Sequence, residues 1–302
     1  MTEMMRNLKR NFFSPAACAA AGVLSLLLMT GGALAEGFSP LPIDAPSGPK
    51  AAQENYLPDF GGYQDESLSV AIETTRAYDT TIVIARVKIA DPSQMRTAMA
   101  DKYGSTRYAL PRIITKRTNS VFAVNGDFFN YHTKGYLVRQ GKVYRENPKP
   151  EMDMLIIDEN GDFEIIIDPT KTKIREYLAN GGTIVNSFNF GPALVKDYDI
   201  ITTTKRQDCG VNKKTQRMGV GQTGPLEYVL VATEGPENPG SEGLTIPEFA
   251  RFMYMLGAVQ AYNMDGGSST AMMLGGEKIN APENKKVRTV CDILYFATLV
   301  EE

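Results

Sequence analysis

The chain has 302 residues, 43% of them hydrophobic and 22% charged, with a formal net charge of −3, one histidine and three cysteines. This is ordinary globular composition, with enough apolar material for a substantial core. The balance of charge, without a long basic stripe, excludes nucleic acid as an expected partner, and so few Cys and His residues do not make a structural zinc site.

In chain order, Arg6, Lys9 and Arg10 precede a charge-free run from Asn11 to Ala35, centred on "AACAAAGVLSLLLM" and ending "GGALAEG". Positive start, apolar middle and Ala33-Leu34-Ala35 read as a secretory signal cut after Ala35. Uncut, the run is long enough to anchor in a bilayer. Either way the protein is expected to be exported: secreted, periplasmic or cell-surface, touching a membrane only through residues 11–35. Cleavage would remove three positive charges and Glu3, taking the net charge from −3 to −5. Cys209 and Cys291 would remain, and two readings stand for them: one disulfide, or two buried thiols.

Residues 36–60, rich in Pro and small side chains, read as a linker. "TTIVIARVKIA" alternates as a half-buried strand should. "DPSQMRTAMADK" predicts a helix with Asp91 as N-cap and Pro92 in the first turn. "PRIITKRTNS" predicts a short helix feeding a buried strand that ends at Asn125-Gly126. Hairpins are expected to turn near Gln140-Gly141 and at Glu159-Asn160-Gly161. "TKIREYLANGG" reads as a helix with a glycine stop. "LTIPEFARFMYMLGA" carries a capping box, Thr245 with Glu248, and one apolar face. The strands "AVQAYNMD" and "VCDILYFATLV" follow. Residues 61–302 therefore read as one α+β domain with a large mixed, mainly antiparallel sheet and a few packed helices.

Three stretches carry potential chemistry. In "NMDGGSST", Asp265 ends an apolar strand, and Gly266, Gly267, Ser268 and Ser269 could aim backbone N–H groups at an anion. A plain Asp-Gly hairpin turn is the alternative. In "AVNGDFFNY", Asn125 and Gly126 also end a buried strand, with Asp127 next. In "QRMGVG", Arg217 offers the donor fork that suits a phosphate, against the alternative of an ordinary surface arginine. His132, alone in "NYHTKG", reads as a solvated loop residue, so no histidine-based triad is expected.

"VNGDFF", "FGPALVKD", "QRMGVG", "LTIPEFARFMYMLGAVQAYNMDGGSSTAMML" and "RTVCDILYF" occur in the order seen in the phosphodiester glycosidases, and residues 65–300 resemble that family. The resemblance implies hydrolysis of a sugar-1-phosphodiester at the anomeric C–O bond. The products would be a free sugar, typically N-acetylglucosamine, and a phosphomonoester. On that reading Asp265 faces the anomeric carbon and Arg217 holds the phosphate. Gly266, Gly267 and Ser268 supply backbone donors, Asn125 binds a hydroxyl or the N-acetyl group, and Asp127 is a second carboxylate. Family members often carry a further glycine where this chain has Asp127 or Ser268. The expected partner is a phosphorylated glycan or sugar-1-phosphodiester, with no cofactor. Two alternatives are a non-catalytic carbohydrate-binding or exopolysaccharide-assembly protein, and a hydrolase holding a divalent cation between Asp265 and Asp127.

Overall fold

The computed structural model describes residues 37–131, 133–201, 209–281 and 287–301. The expected signal or anchor over 1–35 and His132 lie outside the described residues. Among the described residues no helix is long and apolar enough to cross a membrane.

The described residues fold as one unit. Its strands divide between two large sheets, where the sequence suggested one. The nine-stranded sheet runs, edge to edge, through Tyr56–Leu57, Gly62–Gln64, Leu68–Ala77, Thr80–Ile89, Glu227–Thr233, Met218–Gly224, Gln260–Asn263, Ala193–Lys196 and Asp199–Ile200. The five-stranded sheet runs through Glu277–Lys278, Met272–Leu274, Phe122–Asn125, Asp292–Phe296 and Met95–Met99. A three-stranded sheet (Phe163–Ile166, Met154–Ile157, Asn186–Phe188) and the hairpin Gly135–Arg139/Lys142–Asn147 complete the β structure. Every described ladder is antiparallel, so the expected mixed character is absent.

The layers follow from alternation. In Thr80–Ile89, Val83, Ala85, Val87 and Ile89 enter a core shared with Phe122, Val124, Leu294 and Phe296 of the other sheet. Ile82 and Ile84 point the opposite way and pack on Phe249 and Met253. Those two belong to helix α3 (Ile246–Met255), which has the expected Thr245–Glu248 capping box. Helix α1 (Pro111–Thr118) covers the outer face of the five-stranded sheet through Ile114, packed with Ala123, Ile293 and Tyr295. Helix α2 (Lys171–Ala179) seats Ile174 on Met154 and Ile156. Full burial of one such side chain contributes roughly 1.5–3 kcal/mol.

Two further expectations are corrected. The Asp91 cap forms, with Ser93 N donating to Asp91 Oδ1 at 2.9 Å and Gln94 Oε1 accepting from Asp91 N at 3.0 Å. Yet only a single 3-10 turn, Pro92–Gln94, follows it. Met95–Met99 is instead a strand paired with Asp292–Phe296. Met95 enters the core on one side of that strand, while Arg96 leaves on the other. The expected linker is also no free tether over its later part. The buried Arg96 guanidinium donates to the carbonyls of Pro42, Ile43 and Ala45 at 3.0, 3.2 and 2.9 Å, and Gly48 N donates to Thr118 O at 3.1 Å. Tyr56–Leu57 then joins the nine-stranded sheet. Among the described residues no disulfide joins Cys209 to Cys291.

Candidate functional site

One strand from each large sheet ends at a common rim. Phe122–Asn125 delivers Asn125, and Gln260–Asn263 delivers Asp265 two residues past its end. The stretch after Asp265 is not a hairpin turn. It leaves the nine-stranded sheet, makes a 3-10 turn at Gly267–Ser269, and enters the five-stranded sheet at Met272–Leu274.

Asn125 clasps this crossing. Its Nδ2 donates to Asp265 O at 2.8 Å and to Gly126 O at 3.2 Å, and its Oδ1 accepts from Ala271 N at 3.0 Å. Asp265 N donates to Gly126 O at 3.3 Å. The side chain expected to bind a sugar is therefore engaged with the backbone of the crossing loop, and it is 1% exposed. Both of its amide hydrogens are occupied, so it holds the loop in shape.

The glycines have packing reasons. A Cβ on Gly126 would run into the Asp292 carboxylate, and one on Gly266 would come within 2.7 Å of Gln216 O. Gly267 takes a left-handed φ of +59°. Its N–H donates to Gln216 O at 2.9 Å, and Ser269 N donates to Gly266 O at 3.2 Å. These two N–H groups are engaged within the protein, contrary to the anion-donor expectation. Ser268 is exposed and Ser269 is buried.

Asp265 is half-buried. Burial pushes its carboxyl up to about 6. A hydrogen bond from the Ser269 hydroxyl, the Arg288 charge and the Gly266 N–H pull the other way, while the Asp127 charge adds to the rise. Arg288 did not figure in the sequence reading of roles. It is exposed, its Nη1 lies 3.4 Å from Ser268 Oγ, and its guanidinium carbon lies 5.6 Å from the centre of the Phe128 ring. Phe128, held at a φ of +58°, stacks on the exposed Tyr131 at 5.0 Å. A left-handed aromatic residue is strained, and such strain gathers at functional sites. The one signal available beforehand was that "RTVCDILYF" lay within the family-like pattern.

Behind the rim lies a buried ionic triad. Arg139 Nη2 donates to Asp127 Oδ1 at 2.8 Å and to Asp292 Oδ2 at 2.7 Å, with all three residues at most 4% exposed. Asp127 Oδ2 also accepts from Asn189 N at 2.8 Å. Asp127 is thus bound to Arg139 and a backbone N–H, not displayed as a second carboxylate. The Arg139 guanidinium lies 4.4 Å from the Phe188 ring centre. Burial pulls its pKa down, but Asp127 and Asp292 outweigh that and hold it raised. Burial raises the Asp292 carboxyl despite Arg139. Cys291 Sγ donates to Asp292 Oδ1 at 3.3 Å, and burial with the nearby carboxylates pushes this thiol far up, which leaves it unreactive. Arg139 and Asp292 were missed because each lies in a run that reads as an ordinary strand.

Arg217 is the largest correction. Its Nε donates to Leu244 O at 2.9 Å, Nη1 to Cys209 O at 3.0 Å, and Nη2 to Gly210 O and Lys213 O at 2.7 and 2.8 Å. The side chain is buried, with no carboxylate bound to it among the described residues, and burial pulls its pKa down to about 10. It staples the 209–213 loop and does not present its donor fork to a phosphate. Gly219 and Gly221 behind it lie under Phe249 and Met253 of α3. Among the described residues no three His, Cys, Asp or Glu side chains gather as a metal site. Two buried polar atoms close in sequence to Asp265, Asn263 Oδ1 and Thr270 Oγ1, have no hydrogen-bond partner among the described residues.

An antiparallel two-sheet domain with a half-buried carboxylate at the crossing between its sheets sets the class. The chain belongs to the phosphodiester glycosidase family, a family of hydrolases, whose sequence model matches residues 118–297. That stretch holds Asn125, Asp127, Arg139, Arg217, Asp265, Arg288 and Asp292. The fold is similar to the zebrafish N-acetylglucosamine-1-phosphodiester alpha-N-acetylglucosaminidase catalytic domain, solved auto-inhibited by its pro-peptide. The TM-score is 0.61 and identity 17%, over 76% of this chain and 83% of that one. A hypothetical protein from Synechocystis matches with a TM-score of 0.50 and 16% identity, over 78% of this chain and 62% of that one. The SPbeta prophage-derived uncharacterized protein YomE of Bacillus subtilis is 24% identical over 237 residues, which are 77% of this chain and 34% of YomE. The chain thus spans about a third of that relative.

Proposed function

We propose that the chain hydrolyses a sugar-1-phosphodiester, of the N-acetylglucosamine-1-phospho-ester type, in envelope or extracellular glycan metabolism. Water is consumed, the bond between the anomeric carbon and its oxygen breaks, and free sugar and a phosphomonoester leave. The observation that carries this reading is the Asp265 carboxyl, raised to about 6 and set within the field of the exposed Arg288. As the C–O bond stretches, positive charge builds on the ring and negative charge on the departing phosphate. Asp265 meets the first, as nucleophile, base or electrostatic partner. Arg288 meets the second, in the role first expected of Arg217. The leaving group is already acidic, so little general-acid help is required, and the chemistry proceeds without His132. Arg139, Asp127 and Asp292 act through Gly126, keeping the floor under Asp265 fixed. Export through residues 1–35 belongs to the same proposal.

The test is to incubate the protein with an α-N-acetylglucosamine-1-phospho-ester beside an Asp265→Ala control. Release of N-acetylglucosamine by the first only supports the reading. Binding of the ester without turnover points to a carbohydrate-binding protein on the same fold. Equal turnover by the control removes Asp265 from the mechanism.

A further inference from the structure

Away from Asp265, a cleft of about 690 Å³ opens beside the Met95–Met99 strand, the Lys142–Asn147 strand and the end of α1. Its lining is aromatic and cationic together. Tyr103 and Tyr144 have ring centres 5.2 Å apart, tilted by 44°, and Tyr103 also stacks on Phe129 at 6.3 Å. Tyr103 is 37% exposed, so its ring is accessible without rearrangement. Lys102 and Lys142 line the same cleft, with Asp101 as the one carboxylate apart from the triad; Arg117 lines it too, but its guanidinium donates to Ala100 O at 2.9 Å and to Met99 O. Arg139 reaches its floor, but Asp127 and Asp292 already balance that charge. This local excess of cations stands out in a chain whose formal net charge is −3.

The two kinds of lining select a ligand between them. A small inorganic anion would use the cations and leave the rings idle. A neutral sugar would use the rings and leave the cations unpaired. A chain of acidic sugars uses both: the C–H faces of its pyranose rings lie on tyrosine, and its carboxylates or phosphates meet Lys102 and Lys142. We propose that this cleft is a secondary binding site for an anionic glycan chain. The adjacent Phe128 and Phe129 link the two places, since Phe129 packs on Tyr103 in the cleft wall while Phe128 carries Arg288 at the rim. A polymer held in the cleft would be kept near the rim whether or not the proposed hydrolysis is correct.

Binding by the full chain is measured calorimetrically at low salt with four probes: hexagalacturonate, neutral cellohexaose, hexathymidylate and inorganic phosphate. Hexagalacturonate should bind most tightly and weaken steeply with added salt. Lys102→Gln with Lys142→Gln should weaken it about tenfold at unchanged melting temperature; Tyr103→Ala should also weaken it about tenfold while losing some melting temperature through its contacts with Phe129 and Tyr144, so Tyr103→Phe, which keeps the ring, should restore both. Asp265→Asn should bind it as the parent does, which separates this site from the rim. No binding of hexagalacturonate, or binding indifferent to Tyr103→Ala, overturns the proposal. So does hexathymidylate or phosphate binding at least as tightly, or loss of binding in Asp265→Asn.

Discussion

Two arginines divide the chemistry of this protein in a way their sequence neighbourhoods invert. Arg217 sits beside glycines in "QRMGVG" and looks made for a ligand, yet it is buried and holds four backbone carbonyls. Arg288 sits in an unremarkable polar stretch, yet it is exposed beside Ser268 and within the field of Asp265. The difference teaches that a guanidinium's role follows from what its donors already hold. Engaged by the backbone, it is a structural staple. Left facing solvent beside a carboxylate, it is available to substrate.

This contrast can be broken by experiment. The largest expected effect is on Asp265 itself: Asp265→Asn should lower turnover of the phospho-ester by about 10³-fold while circular dichroism stays unchanged. Near-parent turnover by a folded variant would remove the carboxylate from the chemistry. Arg217→Ala should act on stability, because burying unpaired carbonyls costs about 3 kcal/mol, read as a lower urea midpoint. A stable Arg217→Ala protein with selectively weakened substrate binding would return Arg217 to the phosphate. Arg288→Met should do the reverse, losing roughly tenfold to a hundredfold in kcat/KM with an unchanged melting temperature. It should also move the acidic limb of the rate profile upward, since Arg288 lowers the Asp265 pKa. That limb should have its midpoint near 6 in the parent, with activity falling as pH drops below it.

The same carboxyl gives the smallest and most specific effect. Its folded pKa of about 6 lies above the ordinary 3.8, so between those values the folded protein binds a proton more tightly than the unfolded chain. Stability should therefore fall as pH rises from the lower value to the upper, then level off. Asp265→Asn should flatten that slope, whose full height is at most about 3 kcal/mol across the window and is lowered by solvent screening of the half-buried carboxyl, in urea titrations. An unchanged slope would mean that Asp265 is better solvated than its burial implies.

Much of this was legible in sequence because it is local. The Thr245–Glu248 box, the two hairpins, α1 and α2 are set by residues within a few positions of one another. The Asp91 cap was equally legible, but the helix predicted after it was not formed, because Met95–Met99 finds a strand partner near residue 292. The Pro-rich composition of residues 36–60 suggested a tether, and nothing local announced that Arg96 would bind its carbonyls. At the rim, Asp265 was legible as a carboxylate at a strand end. The triad was not, since Arg139 and Asp292 lie 153 positions apart. Each occupies an end position of a fully buried strand, and only the approach of the Gly135–Arg139 hairpin to the five-stranded sheet makes them partners.

The Asn125 clasp has a consequence for how the rim assembles. Its bond to Asp265 joins positions 140 residues apart and spans strands of different sheets. Contacts so distant along the chain are costly to close and tend to form after local ones. During refolding the hairpins and helices can regain their spectroscopic signal while Asp265 is still unplaced. Completion of the rim would then be a late event, and a built-in reporter that both halves of the chain have found each other.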